Sequence, residues 1–174
     1  MDDWRLDEDL IQRIRSSEDL SNLTPESVVE VWRGPSGEIG VIVWLRHVVR
    51  LPLFRRSEVM WYGVQACHSG VGGEDLAFAE LLRWYRDREE FNTAQAAAGI
   101  RFYRVLFLSL ARFDAELTRS MESGEMKEVN RVVLRGDNDR LNSAYRYVCR
   151  LGFEWNEEYG GYVKRFFPPR VCNK

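Results

Sequence analysis

Ser69-Gly70-Val71-Gly72-Gly73 is the stretch of this 174-residue chain best suited to chemistry. Glycines at three of four successive positions let the backbone turn tightly and present consecutive N–H groups. A helix starting at Glu74 would set its positive end behind them, so the loop can cradle a phosphate or pyrophosphate. The plain alternative is a tight strand-to-helix connection, since Glu74 and Asp75 already satisfy the same helix dipole. His68, beside the loop, could act as a base or donate to a phosphate, or be an ordinary surface residue. Cys67 precedes it, but neighbours on an extended strand face opposite ways, so the two do not make a nucleophile–base pair. Glu58 opens the same strand; it is placed for a base or is a solvated strand end. His47 follows a strand and shows no partner in the sequence. Arg50, Arg55 and Arg56, beside Trp61 and Tyr62, form a basic-aromatic cluster that suits a coenzyme or nucleic acid, with a solvated loop as the alternative.

The elements that must hold these residues follow from periodicity. Leu6, Leu10, Ile11 and Ile14 predict a helix within 4–20, with Asp7, Glu8 and Asp9 at its start and a break from Asn22 to Pro25. Val28–Trp32 and Ile39–Leu45 flank Gly34-Pro35-Ser36-Gly37 and predict a hairpin. Val48 to Arg56, with Pro52, reads as a connection. Val59 to Cys67 is a strand that enters the glycine loop, and Glu74 to Glu90 is a helix burying Leu76, Leu81, Leu82, Trp84 and Tyr85. A second helical pattern spans 94–123, broken near Gly99, with Tyr103, Leu106, Phe107, Leu110, Phe113, Leu117 and Met121 at helical spacing. This stripe reads as core or a dimer contact rather than a cofactor box. Val129–Leu134 is a strand, Arg140–Leu151 a helix stopped by Gly152, and Phe153–Trp155 with Tyr162–Phe167 a closing hairpin. The order predicts one α+β domain over 1–174 with a mixed, mostly antiparallel central sheet.

Composition narrows the function classes. Apolar residues make up 45% and charged residues 30%, too apolar for disorder. The net charge of −2 disfavours a protein held on nucleic acid by bulk electrostatics but leaves room for a local basic patch. Three widely spaced cysteines (Cys67, Cys149, Cys172) make neither a disulfide framework nor a zinc spacing, so no metal site is expected. No apolar run is long enough to cross a membrane, and the acidic start Met1-Asp2-Asp3-Trp4-Arg5 is unlike a signal peptide; a cytoplasmic, membrane-free protein is expected. The basic residues are nearly all arginine.

The stretch Val129 to Arg135, then Asn142-Ser143-Ala144, Arg150-Leu151-Gly152-Phe153-Glu154 and Tyr162-Val163-Lys164-Arg165, resembles the C-terminal half of the GCN5-related N-acetyltransferase superfamily. There a strand precedes an Asn-containing helix that ends in Gly-Phe, and a closing hairpin carries an aromatic-basic strand. The resemblance covers roughly residues 57–90 and 128–167. It implies transfer of an acyl group from acetyl-coenzyme A, or another acyl-coenzyme A, to an amine. Val64 and Ala66 would offer main-chain contacts to the pantetheine arm. Ser69, Gly70, Val71, Gly72 and Gly73 would hold the phosphates, and Asn142 would join them in the cofactor site. The family's loop carries Arg or Gln where Ser69 stands, and a small residue where Glu74 stands. Its acid, a helix tyrosine, aligns with Val148; Tyr147 beside it is the candidate acid here and Glu58 the candidate base. The 94–123 helix is an insertion relative to the family plan. Two further readings stay open: a transferase of the same fold acting on a nucleic-acid base or other macromolecule, and a non-catalytic interaction protein using the 94–123 helix.

Overall fold

The computed structural model describes residues 4–17, 26–53, 56–68, 99–135 and 145–169. The helix Glu74–Glu90, the break at Asn22–Pro25 and residues 94–98 lie outside them. By contact the chain groups into two compact units, each assembled from two distant stretches: Met1–Leu45 with Val64–Leu108, and Arg46–Gly63 with Ser109–Lys174.

In the first unit, Asp7 divides the helix that the spacing predicts over 4–20. Arg5–Leu6 is a short strand, β1, and α1 runs only from Glu8 to Arg15. Asp7 is the helix cap: its side chain accepts from the Leu10 N–H at 3.2 Å, while its own N–H donates to the Val31 carbonyl at 2.8 Å. The residues before it therefore join a sheet instead of continuing the helix. Leu10, Ile11 and Ile14 form the buried stripe of α1. Strand β2 (Val28–Arg33) pairs antiparallel with β1 and with the first half of β3 (Ile39–Leu51). The predicted hairpin forms around Gly34–Glu38. The Glu38 carboxylate accepts from the Ser36 N–H at 2.8 Å, and a Cβ on Gly34 would come within 2.5 Å of that carboxylate. Ile39 to Leu45 are all buried, so both faces of β3 are covered there.

Val48 to Arg56 is mostly strand rather than a connection. β3 continues to Leu51 and β4 (Arg56–His68) begins five residues later. Val48 and Val49 favour extended backbone, and Pro52 falls in the turn, where its missing N–H costs no ladder bond.

In the second unit the end of β3 from Arg46 and β4 up to Gly63 are followed in strand order by β5 (Val129–Leu134), β7 (Gly161–Phe166) and β6 (Glu154–Asn156). β4 and β5 run parallel, from Glu58↔Val129 to Tyr62↔Val133; the other described ladders are antiparallel. Among the described residues seven strands and few helices make an α+β protein whose strand pairing is mostly antiparallel. Helix α2 (Gly99–Glu122) covers the described part of the predicted 94–123 pattern; the residues before the expected break near Gly99 lie outside the described residues. Its residues Leu110, Phe113 and Leu117 are buried, and the Phe113 ring meets Trp61 edge-on at 5.0 Å. Trp61 donates its indole N–H to Asn130 Oδ1 at 2.8 Å, which satisfies two buried polar groups at once.

The segment expected as a helix to Leu151 is, where described, a 3-10 helix from Arg146 to Leu151. Gly152 ends it as expected, at φ 84°, with its N–H on the Cys149 carbonyl.

Candidate functional site

Strand alternation divides the second unit's chemistry between two faces of its sheet. Met60, Val133 and Val163 form a buried apolar group on one face, with Val49, Tyr62 and Tyr159 packed against it. Into this face Glu58 and Arg131 bring a charge pair. Arg131 Nη2 donates to Glu58 Oε2 at 2.7 Å, and Nη1 donates to the Tyr159 hydroxyl. The Arg131 guanidinium also lies 5.3 Å from the centre of the Tyr159 ring. The two charged side chains are only 12% and 19% exposed, so the pair is held in a largely dry setting. Arg131 Nε is buried with no hydrogen-bond partner. Among the described residues the hydrogen bond to the Glu58 carboxylate falls on Oε2. Burial, and then the neighbouring Tyr159, push the Tyr62 phenol above its ordinary range, with the Arg131 charge opposing. The His47 ring stands edge-on to Tyr62 at 5.7 Å, so His47 has a neighbour that the sequence did not reveal.

The other face holds the end of the 3-10 helix. Lys164, on β7, donates to Asp114 Oδ1 at 2.6 Å and to the Leu151 carbonyl at 2.5 Å. Its ammonium lies 4.9 Å from the Phe166 ring centre and 5.9 Å from that of Phe153. One lysine thus ties α2, β7 and the last turn before Gly152 together. Tyr147 stands on that 3-10 helix, 54% exposed, with the Arg146 and Arg150 guanidiniums 5.8 and 6.0 Å from its ring centre. Successive residues of a 3-10 helix are about 120° apart, which explains why Val148 is buried while Tyr147 meets solvent.

The candidate residues named from the sequence are therefore distributed as follows. Glu58 is at the foot of β4, locked to Arg131. Val64, Ala66, Cys67 and His68 belong to the far end of β4. Tyr147 is exposed on a separate element. Ser69, Gly70, Val71, Gly72, Gly73 and Asn142 lie outside the described residues, as does Arg55. Trp61 is 7% exposed and committed to Phe113 and Asn130, so it cannot serve the basic-aromatic cluster proposed for it with Arg50 and Arg56. Sequence reasoning missed Arg131, Tyr159 and Lys164 as organising residues. The available signal was Arg131 as the one charge in the strand Val129–Leu134 and Lys164 in the strand Gly161–Phe166; Tyr159, in the turn between β6 and β7, carried none.

Among the described residues no group of three or more His, Cys, Asp or Glu side chains could hold a metal ion, and no helix is long and apolar enough to cross a membrane. No family model matches the chain, and neither a curated protein nor a solved structure matches it.

Proposed function

We propose that the chain is an acyltransferase of the GCN5-related kind, moving an acyl group from an acyl-coenzyme A to an amine. The observation that carries this reading is the behaviour of β4. Its described parallel pairing with β5 ends at Tyr62↔Val133, yet the strand continues to His68 and leads directly into Ser69–Gly73. A strand that outruns its parallel neighbour has main-chain groups near Val64 and Ala66 available for an amide-bearing arm, and a glycine loop next in sequence suits its pyrophosphate.

In this reading the amine nitrogen attacks the thioester carbonyl, and the carbon–sulfur bond breaks as the nitrogen–carbon bond forms. Glu58 Oε1 receives the proton lost by the amine, directly or through water, and the departing thiolate takes its proton from solvent, because the 3-10 helix that carries Tyr147 lies on the other face of the sheet from Glu58. Glu58 is suited to the task by its position: Arg131 fixes one oxygen and leaves the other. Burial of Leu106, Leu110, Phe113 and Leu117 assigns the described stripe of α2 to the core, which takes support from a partner-binding role for that helix.

Thermal denaturation with added coenzyme A tests the donor site. Stabilisation at sub-millimolar ligand, lost in Gly72→Glu, is expected; no shift at millimolar ligand would count decisively against the reading. Free-thiol release from acetyl-coenzyme A with a panel of amines then tests chemistry. Glu58→Gln should lower turnover with the coenzyme A shift intact.

A further inference from the structure

The 3-10 helix Arg146–Leu151 winds three residues to the turn, so residues three apart stand one above the other. Tyr145, Val148 and Leu151 make the inward row; the first two are buried and the third is half-buried. The outward rows are Arg146 over Cys149 and Tyr147 over Arg150, and all four residues are exposed. The Tyr147 ring, more than half open to water, has the two guanidiniums 5.8 and 6.0 Å from its centre. Neither arginine forms an ion pair among the described residues, and from Arg146 to Phe153 the chain has no acidic residue. The next one, Glu154, pairs with Val163 and so belongs to the opposite face of the sheet. Two cations and one open ring thus meet on a turn whose apolar row is already spent on the core.

We propose that this turn is a contact site for single-stranded nucleic acid, independent of the acyltransfer reading. A base stacks on the Tyr147 ring, and the Arg146 and Arg150 guanidiniums, already gathered around that ring, take the flanking phosphates. Every base has a face to stack, so the ligand is a strand of any sequence rather than a particular site. A duplex keeps its base faces covered and offers no such stack. The net charge of −2 makes this a local contact, not a platform that holds nucleic acid by bulk electrostatics. Other partners use the turn less fully. The carboxylates of an acidic peptide would pair with the arginines and leave the ring idle, and a docking face for a folded protein is depleted of charge at its centre. A lipid surface takes up protruding apolar side chains, and on this turn Val148 is buried and Leu151 half-buried.

The test is fluorescence anisotropy of the full chain with labelled oligouridine, oligodeoxythymidine and a duplex of the same length. Binding to one or both single strands at low salt, and weaker binding to the duplex, is expected; the preferred strand tells which sugar the ligand carries. Tyr147→Ala should lower the affinity about tenfold, and Tyr147→Phe should keep it within about twofold, because the stack needs only the ring. Arg146→Gln with Arg150→Gln should flatten the fall of log affinity with log salt by about 1.4, the share of two single-strand phosphate contacts. These side chains are exposed, so the variants should melt with the unaltered protein. Failure of the unaltered chain to bind either strand at low salt overturns the proposal. So does binding that ignores Tyr147→Ala, and so does equal affinity for the duplex. Competition by polyglutamate as strong as that by unlabelled strand overturns it too, by reducing the site to a generic anion patch. Displacement of the strand by sub-millimolar coenzyme A would also overturn it, by assigning the ring to the adenine of a donor.

Discussion

Asp7–Arg33 in the first unit and Glu58–Arg131 in the second are both carboxylate–guanidinium pairs at 2.7 Å, but their surroundings differ. The Arg33 side chain is 47% exposed, whereas that of Arg131 is 12% exposed. Asp7 has three donors, the Leu10 N–H and two nitrogens of Arg33, and it decides where a helix begins. Glu58 has one donor, sits beside an apolar layer, and decides nothing about secondary structure. The lesson is that the same pair of groups can be tied into a helix start, as Asp7 is, or held beside an apolar layer with no cap to form, as Glu58 is. A charge so kept is a candidate for chemistry.

The comparison can be broken most forcefully at Arg131. Arg131→Ala strands the Glu58 carboxylate and should cost about 3 kcal/mol in denaturant unfolding, whereas Glu58→Leu with Arg131→Met should be near neutral. If the double variant is as damaged as the single one, the pair is structural and the contrast fails. Trp61→Phe keeps the ring beside Phe113 but leaves Asn130 Oδ1 without its donor; a loss of about 1–2 kcal/mol is expected, readable by chemical denaturation. Asp7→Ala removes the cap and the joint together and should cost about 1 kcal/mol. It also carries a pH signature. Burial works against ionisation of Asp7, but the hydrogen bonds from Arg33 and Leu10 and the Arg33 charge outweigh it and hold the carboxyl below its ordinary value. The stabilisation is therefore present above about pH 4 and is lost as pH falls through the lowered folded value. A stability–pH profile that is flat there in Asp7→Ala, and sloping in the unaltered protein, is the expected result.

The smallest effect lies at Tyr62. Its phenol ionises later in the folded chain than in the unfolded one, so it adds nothing near neutrality. Above about pH 10 the unfolded state releases the proton first and stability falls as pH rises. Tyr62→Phe should soften that alkaline loss, measured by unfolding on either side of the transition.

Much of this was legible in the sequence where the cause is local. The hairpin around Gly34–Glu38, the strand Val129–Leu134 and the stop at Gly152 each follow from a few adjacent residues, and each is present. Where the cause is remote the sequence misleads. Leu6 continues the helical spacing of Leu10 and Ile14, yet it pairs with Trp32 because Asp7 is claimed by Val31 and Arg33. The 3-10 winding of Arg146–Leu151 accompanies the Lys164 hold on Leu151, thirteen residues away. Glu58 could be listed as a candidate base, but its partner Arg131 is 73 residues further along and no spacing rule joins them.

Neither compact unit is contiguous in the chain, and this bears on how the protein is made. The first unit needs residues up to Leu108 before its second stretch exists, and the second begins at Arg46 but is completed only beyond Ser109. On a ribosome, β4 would emerge long before β5, its parallel neighbour, because Glu58 and Val129 are separated by the whole intervening crossover. Loop closure over such distances is slow and leaves strand edges open meanwhile. Synthesis should therefore end with a late, largely concerted collapse rather than with a finished N-terminal piece, and fragments cut anywhere between Arg46 and Leu108 should be insoluble or unfolded.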